Sequence, residues 1–262
     1  VRSGERSEIR ATALVNAVPL AMLGLAQMLV ILSGRAGIDL SVGAVVSLTG
    51  VVFGFVYGLW DWPLWLAIVL AVGVGLVCGT VNGILVAYVG FPPIIATLAT
   101  FYALKSLALL ISNQSPINTK PIQDFYVAAE AVEIPIIGGS LPLVPLGLLT
   151  FLVPVALVVW FIVNRTTFGR TLYASGTNDT AALWAALSNH RTRCLSYTLA
   201  GGLSGLTGVF VVAQFASALD AAETSYVMAL EPGPTSLGVA WLEPTTGEFF
   251  AAEWDGAARF DR

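Results

Sequence analysis

Charge is scarce in this sequence. Only 11% of its 262 residues are Asp, Glu, Lys or Arg, against about 25% in an ordinary soluble domain. A larger core does not account for so wide a deficit, because a soluble surface must still be wetted. A water-soluble globule is therefore excluded. Histidine occurs once, as His190, and cysteine twice, as Cys78 and Cys194. These make no Ser/His/Asp or Cys/His constellation. The cysteines lie in or beside apolar segments without metal-ligand spacing, so both read as packing residues and no disulfide is expected. No catalytic residue, metal or cofactor is assigned, and His190 is expected to flank the membrane. No phosphate loop of the form G-x-x-x-x-G-K-S/T occurs, which excludes an ATPase of that kind. No basic patch suggests nucleic acid.

What the chain has in abundance is apolar length. Hydrophobic residues make up 56%, with 26 glycines, and glycine is commoner in transmembrane helices than in soluble ones. Between residues 11 and 119 the only charges are Arg35, Asp39, Asp61 and Lys105. A helix needs roughly 20 apolar residues to cross the hydrocarbon core. The runs 14–33, 41–60, 63–89, 93–111, 144–163 and 195–219 meet that need, and the fourth is weakened by Lys105. They predict an all-α fold, a polytopic membrane helix bundle of about five or six apolar helices. Arg2, Arg6 and Arg10 would suit the basic start of a signal peptide, but no small-residue cleavage site follows and further spans come at once.

The loops set an orientation. Residues 164–193 carry Arg165, Arg170, Arg191 and Arg193 against Asp179, whereas residues 112–143 carry Lys120 against Asp124, Glu130 and Glu133. Short cytoplasmic loops are enriched in Lys and Arg, so 164–193 is expected inside and 112–143 outside. Counting back through four spans then puts residue 1 outside, against the indication of Arg2, Arg6 and Arg10. Either one segment, 93–111 being the weakest, is re-entrant, or a helix precedes this stretch. The net charge of −4 belongs mainly to the end: residues 220–262 hold eight acids and two arginines.

Small residues recur every fourth position as Gly50, Gly54 and Gly58, as Gly75, Gly79 and Gly83, and as Gly201 and Gly205. Such spacing places them on one helix face and predicts close backbone approach. Polar residues in the membrane region are costly and read by default as functional. Asp39, in the run Gly34–Gly43, either caps the second helix, pairs with Arg35 four residues earlier, or takes part in a transport path. Asn82 either bonds across helices or lines such a path. Lys105 snorkels. In the 164–193 loop a short helix is expected with Thr177 or Asn178 as N-cap and Asp179 at its positive end. Its apolar face, Leu183, Trp184 and Leu187, suits either the membrane surface or a partner's groove.

Three blocks in order carry a family resemblance. Gly37-Ile38-Asp39-Leu40-Ser41-Val42-Gly43 is one. Asn82-Gly83 followed by Pro93-Ile94-Ile95-Ala96-Thr97-Leu98 is the second. Phe168-Gly169-Arg170-Thr171-Leu172-Tyr173-Ala174, with Gly176, Asn178, Ala181, Ala182 and Leu183, is the third. Over roughly residues 14–226 the chain resembles the permease subunits of bacterial ABC importers for simple sugars of the ribose, xylose and galactose type. The resemblance implies a multi-pass plasma-membrane subunit that forms the uptake path for a monosaccharide or similar small polar solute. It implies ABC ATPase subunits, an extracytoplasmic solute-binding protein and a second permease subunit as partners, beside membrane lipid. The third block would be the ATPase-coupling element, with a short cytoplasmic coupling helix. Asp39, Ser41, Asn82 and Thr97 would belong to the translocation path or to a structural motif beside it.

The family has a further helix before the first one here and more after Tyr226. Residues 1–226 therefore read as a partial permease domain and 227–262 as an atypical polar, acidic tail, chimeric or frameshifted in origin. In that tail a strand is expected from Leu237 to Trp241, then a turn, then a strand near Phe249, similar to a strand pair in mismatch-repair MutS proteins. The competing readings are a self-contained secondary transporter or channel, which needs a charge relay or inverted repeat, and a nonfunctional truncated permease.

Overall fold

A computed structural model of the chain describes residues 3–115, 117, 119–130, 152–215, 237–242 and 249–254. Within these, α1 is Ser3–Leu32, α2 Val42–Phe53, α3 Leu64–Ile84, α4 Pro93–Ser112, α5 Lys120–Glu130, α6 Val153–Arg165, α7 Thr167–Thr177, α8 Asp179–Trp184 and α9 Asn189–Phe215. α2 and α3 continue as π-helical turns over Gly54–Leu59 and Leu85–Val89. β1, Leu237–Leu242, and β2, Phe249–Trp254, form an antiparallel pair with Trp241 opposite Phe250. Both expected tail strands therefore lie on observed ones.

Among the described residues four helices are long and apolar enough to cross a membrane: Val42–Leu59, Leu64–Val89, Pro93–Ser112 and Asn189–Gln214. Ala17–Leu32 and Val153–Arg165 are shorter apolar helices. The bundle is thus the polytopic helical one expected, with the boundaries moved. Residues 131–151 and 216–219, which hold parts of the expected outer loop and of the fifth and sixth runs, lie outside the described residues. α5 was not expected at all. The stretch 164–193 is not a loop with one short helix but two helices and the start of a third, so Arg191 and Arg193 belong to α9.

The closest packing joins α3 to α9. A Cβ on Gly79 would collide with the Tyr197 carbonyl, and one on Gly201 with the Gly75 carbonyl. A Cβ on Gly83 would stand 2.9 Å from Cys194 Cα. Contacts that descend one helix while ascending the other make the pair antiparallel. Without side chains at the crossing, dispersion contacts form directly between backbones, the main attraction available where lipid is as apolar as the protein. Gly50 meets Gly208 and Val212 on α9 in the same way. By contrast α4 turns Ile94, Ile95, Tyr102 and Leu110 outward, a surface suited to lipid.

These contacts order the two ends of the bundle. The end of α1 meets α7, Gly34 lying against Gly176, and the start of α9 meets the end of α3 through His190 and Ala87. Gly58 at the far end of α2 packs on Thr119 and Ile122 beside α5. Residues 119–130 and 165–189 therefore stand at opposite ends. α1 begins, with Arg6 and Arg10, at the end opposite the elbow, as the count back through the spans requires. α4 is continuous over 20 residues, about 30 Å at 1.5 Å per residue, long enough to cross the hydrocarbon core rather than re-enter it.

Candidate functional site

The residues that join α1 to α2 are built to leave the helix. Gly34 takes φ +80°, and Arg35 and Ala36 take φ 54° and 50°, a region that L-residues with side chains enter at a cost. This break is why Arg35 does not pair with Asp39. The four-residue spacing brings side chains together only on a continuous helix. Here Arg35 Nε instead reaches Asp179 Oδ2 at 2.9 Å. Nor does Asp39 occupy the N-cap of α2. Ser41 holds that position, and Asp39 Oδ1 accepts from the Ser41 N–H at 2.8 Å and from its hydroxyl at 2.6 Å.

Ser41 draws in the third helix, because its Oγ accepts from Asn82 Nδ2 at 2.7 Å. The Leu40 N–H donates to Thr97 Oγ1 at 3.1 Å, and that hydroxyl donates to Pro93 C=O at 2.8 Å. Asp39, Ser41, Asn82 and Thr97, up to 58 positions apart in sequence, are thus one buried cluster. Gln27 on α1 completes it. With its amide oriented to satisfy both groups, it accepts from the Asp39 N–H and donates to the Asp39 C=O, each at 3.2 Å. A lone carboxamide in the apolar run Ala21–Leu32 was the signal for it, and sequence reasoning passed it over. Asn82 Oδ1 and the Tyr197 hydroxyl are buried nearby without a hydrogen-bond partner among the described residues.

The second group of candidate residues forms an elbow. α6 stops at Arg165, and Thr166 caps α7, its Oγ1 accepting from Gly169 N–H at 3.3 Å. Gly169 is obligatory because a Cβ there would strike the Val163 backbone. Leu172 and the half-buried Phe168 then pack on Val159, Val163 and Leu29, which ties α7 to α6 and α1. Arg170 and Tyr173 face outward and Ala174 is half-buried. Gly176 admits the backbone of Leu32. α8 follows with Asn178 as its N-cap, Oδ1 accepting from Ala181 N–H at 2.9 Å. Ala182 is buried, while Leu183 and Trp184 stand 64% and 86% exposed.

Asp179, expected only to suit the positive end of a helix, does more. Besides Arg35 it binds Arg193 Nη2 at 3.3 Å through Oδ1, which also accepts from Asn189 Nδ2 at 2.6 Å. Arg193 is 2% exposed and also donates to the Ser33 carbonyl at 3.4 Å. The grouping of Arg35, Asp179, Asn189 and Arg193 escaped sequence reasoning because its members come from three separate elements. His190 stacks on Tyr88, and Lys105 lies over the Phe101 ring. No group of three or more His, Cys, Asp or Glu side chains comes together among the described residues.

Residues 9–229 match the model of the family described as branched-chain amino acid transport system / permease component. The chain is 36% identical to the autoinducer 2 import system permease protein LsrD of Klebsiella pneumoniae, over 72% of this chain and 55% of that protein. It is 33% identical to the fructose import permease protein FrcC of Rhizobium meliloti, over 75% and 53%. It is 32% identical to the ribose import permease protein RbsC of Escherichia coli K12, over 83% and 66%. The chain thus spans about half to two thirds of the length of these curated relatives. No solved structure matches significantly.

Proposed function

Because the chain belongs to the family of branched-chain amino acid transport system permease components, we propose that it is the permease subunit of a bacterial ABC importer, taking up a monosaccharide or similar small polar solute. The relatives named above import autoinducer 2, fructose and ribose, all small and polar. In this reading the arginine-bearing end faces the cytoplasm, where the α7–α8 elbow docks on a separate ATPase subunit that supplies the energy. An extracytoplasmic solute-binding protein delivers the solute at the other end, and a second permease subunit completes the path. Closure of the ATPase subunits moves the elbow, and the bundle alternates between outward- and inward-open arrangements.

The observation that carries this reading is the apolar pair Leu183 and Trp184. They stand out from a short helix at the charged end of the bundle, which is itself held by the ion pair of Asp179 with the buried Arg193. A large apolar group held in the open at a polar end marks a contact surface, and buried tryptophans are common interface hot spots. In co-purification with an ATPase subunit from the same genome, Trp184→Ala is expected to weaken association by about 30-fold, the equivalent of a ~2 kcal/mol hot spot. Its exposure predicts an unchanged melting temperature. Undiminished ATPase recovery with Trp184→Ala and with Arg170→Ala would overturn the docking reading.

A further inference from the structure

Residues 33–41, the connector between α1 and α2, are held at both ends. At the start, the Ser33 carbonyl accepts from Arg193, Gly34 lies against the Ser175–Gly176 backbone, and Arg35 pairs with Asp179. Contact at Gly34 is close: a Cβ there would stand 3.1 Å from Gly176 Cα and 3.2 Å from the Ser175 carbonyl. At the other end, Leu40 is bonded to Thr97 on α4, and Ser41 to Asn82 on α3. The segment is short and turned, with the Gly37 N–H bonded to the Gly34 carbonyl and the Ser41 N–H to Asp39 Oδ1, so it has little slack to absorb displacement. A shift imposed at one end reaches the other.

We propose that Asp179 is a positioning residue that yokes α8 to this connector, so that movement of the elbow is passed to α3 and α4 at Asn82 and Thr97. Asp179 suits the task because its two oxygens hold different elements. Oδ2 grips the connector through Arg35, and Oδ1 grips α9 through Arg193 and Asn189. The Arg35 side chain is 61% exposed, so its pair with Asp179 stores little stability and is free to serve geometry. The pair with the buried Arg193 ties Asp179 to the start of α9, so α8 and that end of α9 move together. The inference rests on the reading that the elbow docks on an ATPase subunit. It supplies the physical element that a claim of coupling between separated sites requires.

The test uses the chain assembled with its ATPase subunits in lipid vesicles, with Cys78→Ala and Cys194→Ala as background. Spin-label pairs are placed at Thr180→Cys with Asn113→Cys, at the far end of the bundle, for the elbow, and at Ala36→Cys with Ile95→Cys for the connector. Pulsed electron resonance reads both distances before and after trapping with ATP and vanadate. With Arg35 present both distances are expected to shift. Arg35→Glu sets a like charge against Asp179; the elbow shift is then expected to persist while the connector shift is lost, and Arg35→Lys to restore it. Asp179→Asn is expected to act as Arg35→Glu does. It also leaves the buried Arg193 without its counter-charge, so the exposed Arg35 variant decides the matter if Asp179→Asn does not fold. A connector shift in Arg35→Glu equal to that of the parent overturns the yoke. No elbow shift in the parent, or no ATPase subunit recovered with it, overturns instead the docking reading beneath it.

Discussion

Ser41 holds the buried cluster together because its one hydroxyl faces two ways, donating to Asp39 and accepting from Asn82. Its removal and that of Asn82 are therefore not equivalent. Ser41→Ala takes one bond from the Asp39 carboxyl and leaves the Asn82 amide without its acceptor in a buried site, a loss of about 2–3 kcal/mol. Asn82→Ala gives up a single bond and also removes the unpartnered Oδ1, so it should cost about 1 kcal/mol or less. Denaturant unfolding in detergent will rank the two. A larger loss for Asn82→Ala would show that its carbonyl oxygen is engaged after all. From the sequence, Asp39 and Asn82 were legible as polar residues where polarity is costly, and Ser41 and Thr97 through the family resemblance. Their meeting was not, because it depends on how α2, α3 and α4 converge. The pairing expected for Arg35 failed for a related reason: a helical spacing rule was applied across residues whose positive φ values end the helix.

At the scale of elements, the four-residue glycine spacing was the most dependable feature in the sequence, since it follows from helix geometry alone. It identified the face of α3 that meets α9, though not which helix would meet it. Gly73 lies off that face and would find nothing within 4 Å of an added Cβ. Gly79→Ala and Gly201→Ala should each destabilise by about 3 kcal/mol, because the obstacle is backbone and cannot rotate away. Gly73→Ala should be neutral or stabilise by about 0.5–1 kcal/mol through helix propensity. Thermal unfolding in detergent separates these outcomes, and equal losses at Gly73 and Gly79 would refute the packing argument. The elbow was less legible than the glycine faces. Its polar residues look like loop, but α7 is stabilised by the buried Leu172 and the half-buried Phe168 packed on α6 and α1, tertiary contacts that local propensity does not carry.

For the whole molecule, the distribution of charge over the two ends decides how the bundle sits. Arg35, Arg165, Arg170, Arg191 and Arg193 gather at the end of the elbow, while Asp61, Lys120 and Asp124, with Glu5, Arg6, Glu8 and Arg10 at the start of α1, stand at the other. Moving arginines across the bilayer is costly and the bias of Lys and Arg in short loops sets topology, so the elbow end is expected to face the cytoplasm. Single cysteines report this directly. Asn113 and Ser188 are both exposed and stand at opposite ends, and replacing Cys78 and Cys194 by alanine removes the native thiols. In intact cells a membrane-impermeant maleimide should label Asn113→Cys and spare Ser188→Cys. Permeabilised cells should show both labelled. The reverse pattern would place the elbow outside, where no ATPase subunit can reach Trp184, and would refute the docking reading and the Asp179 yoke together. Equal labelling of both sites in intact cells would show that the chain inserts in two orientations and that the arginines do not govern it.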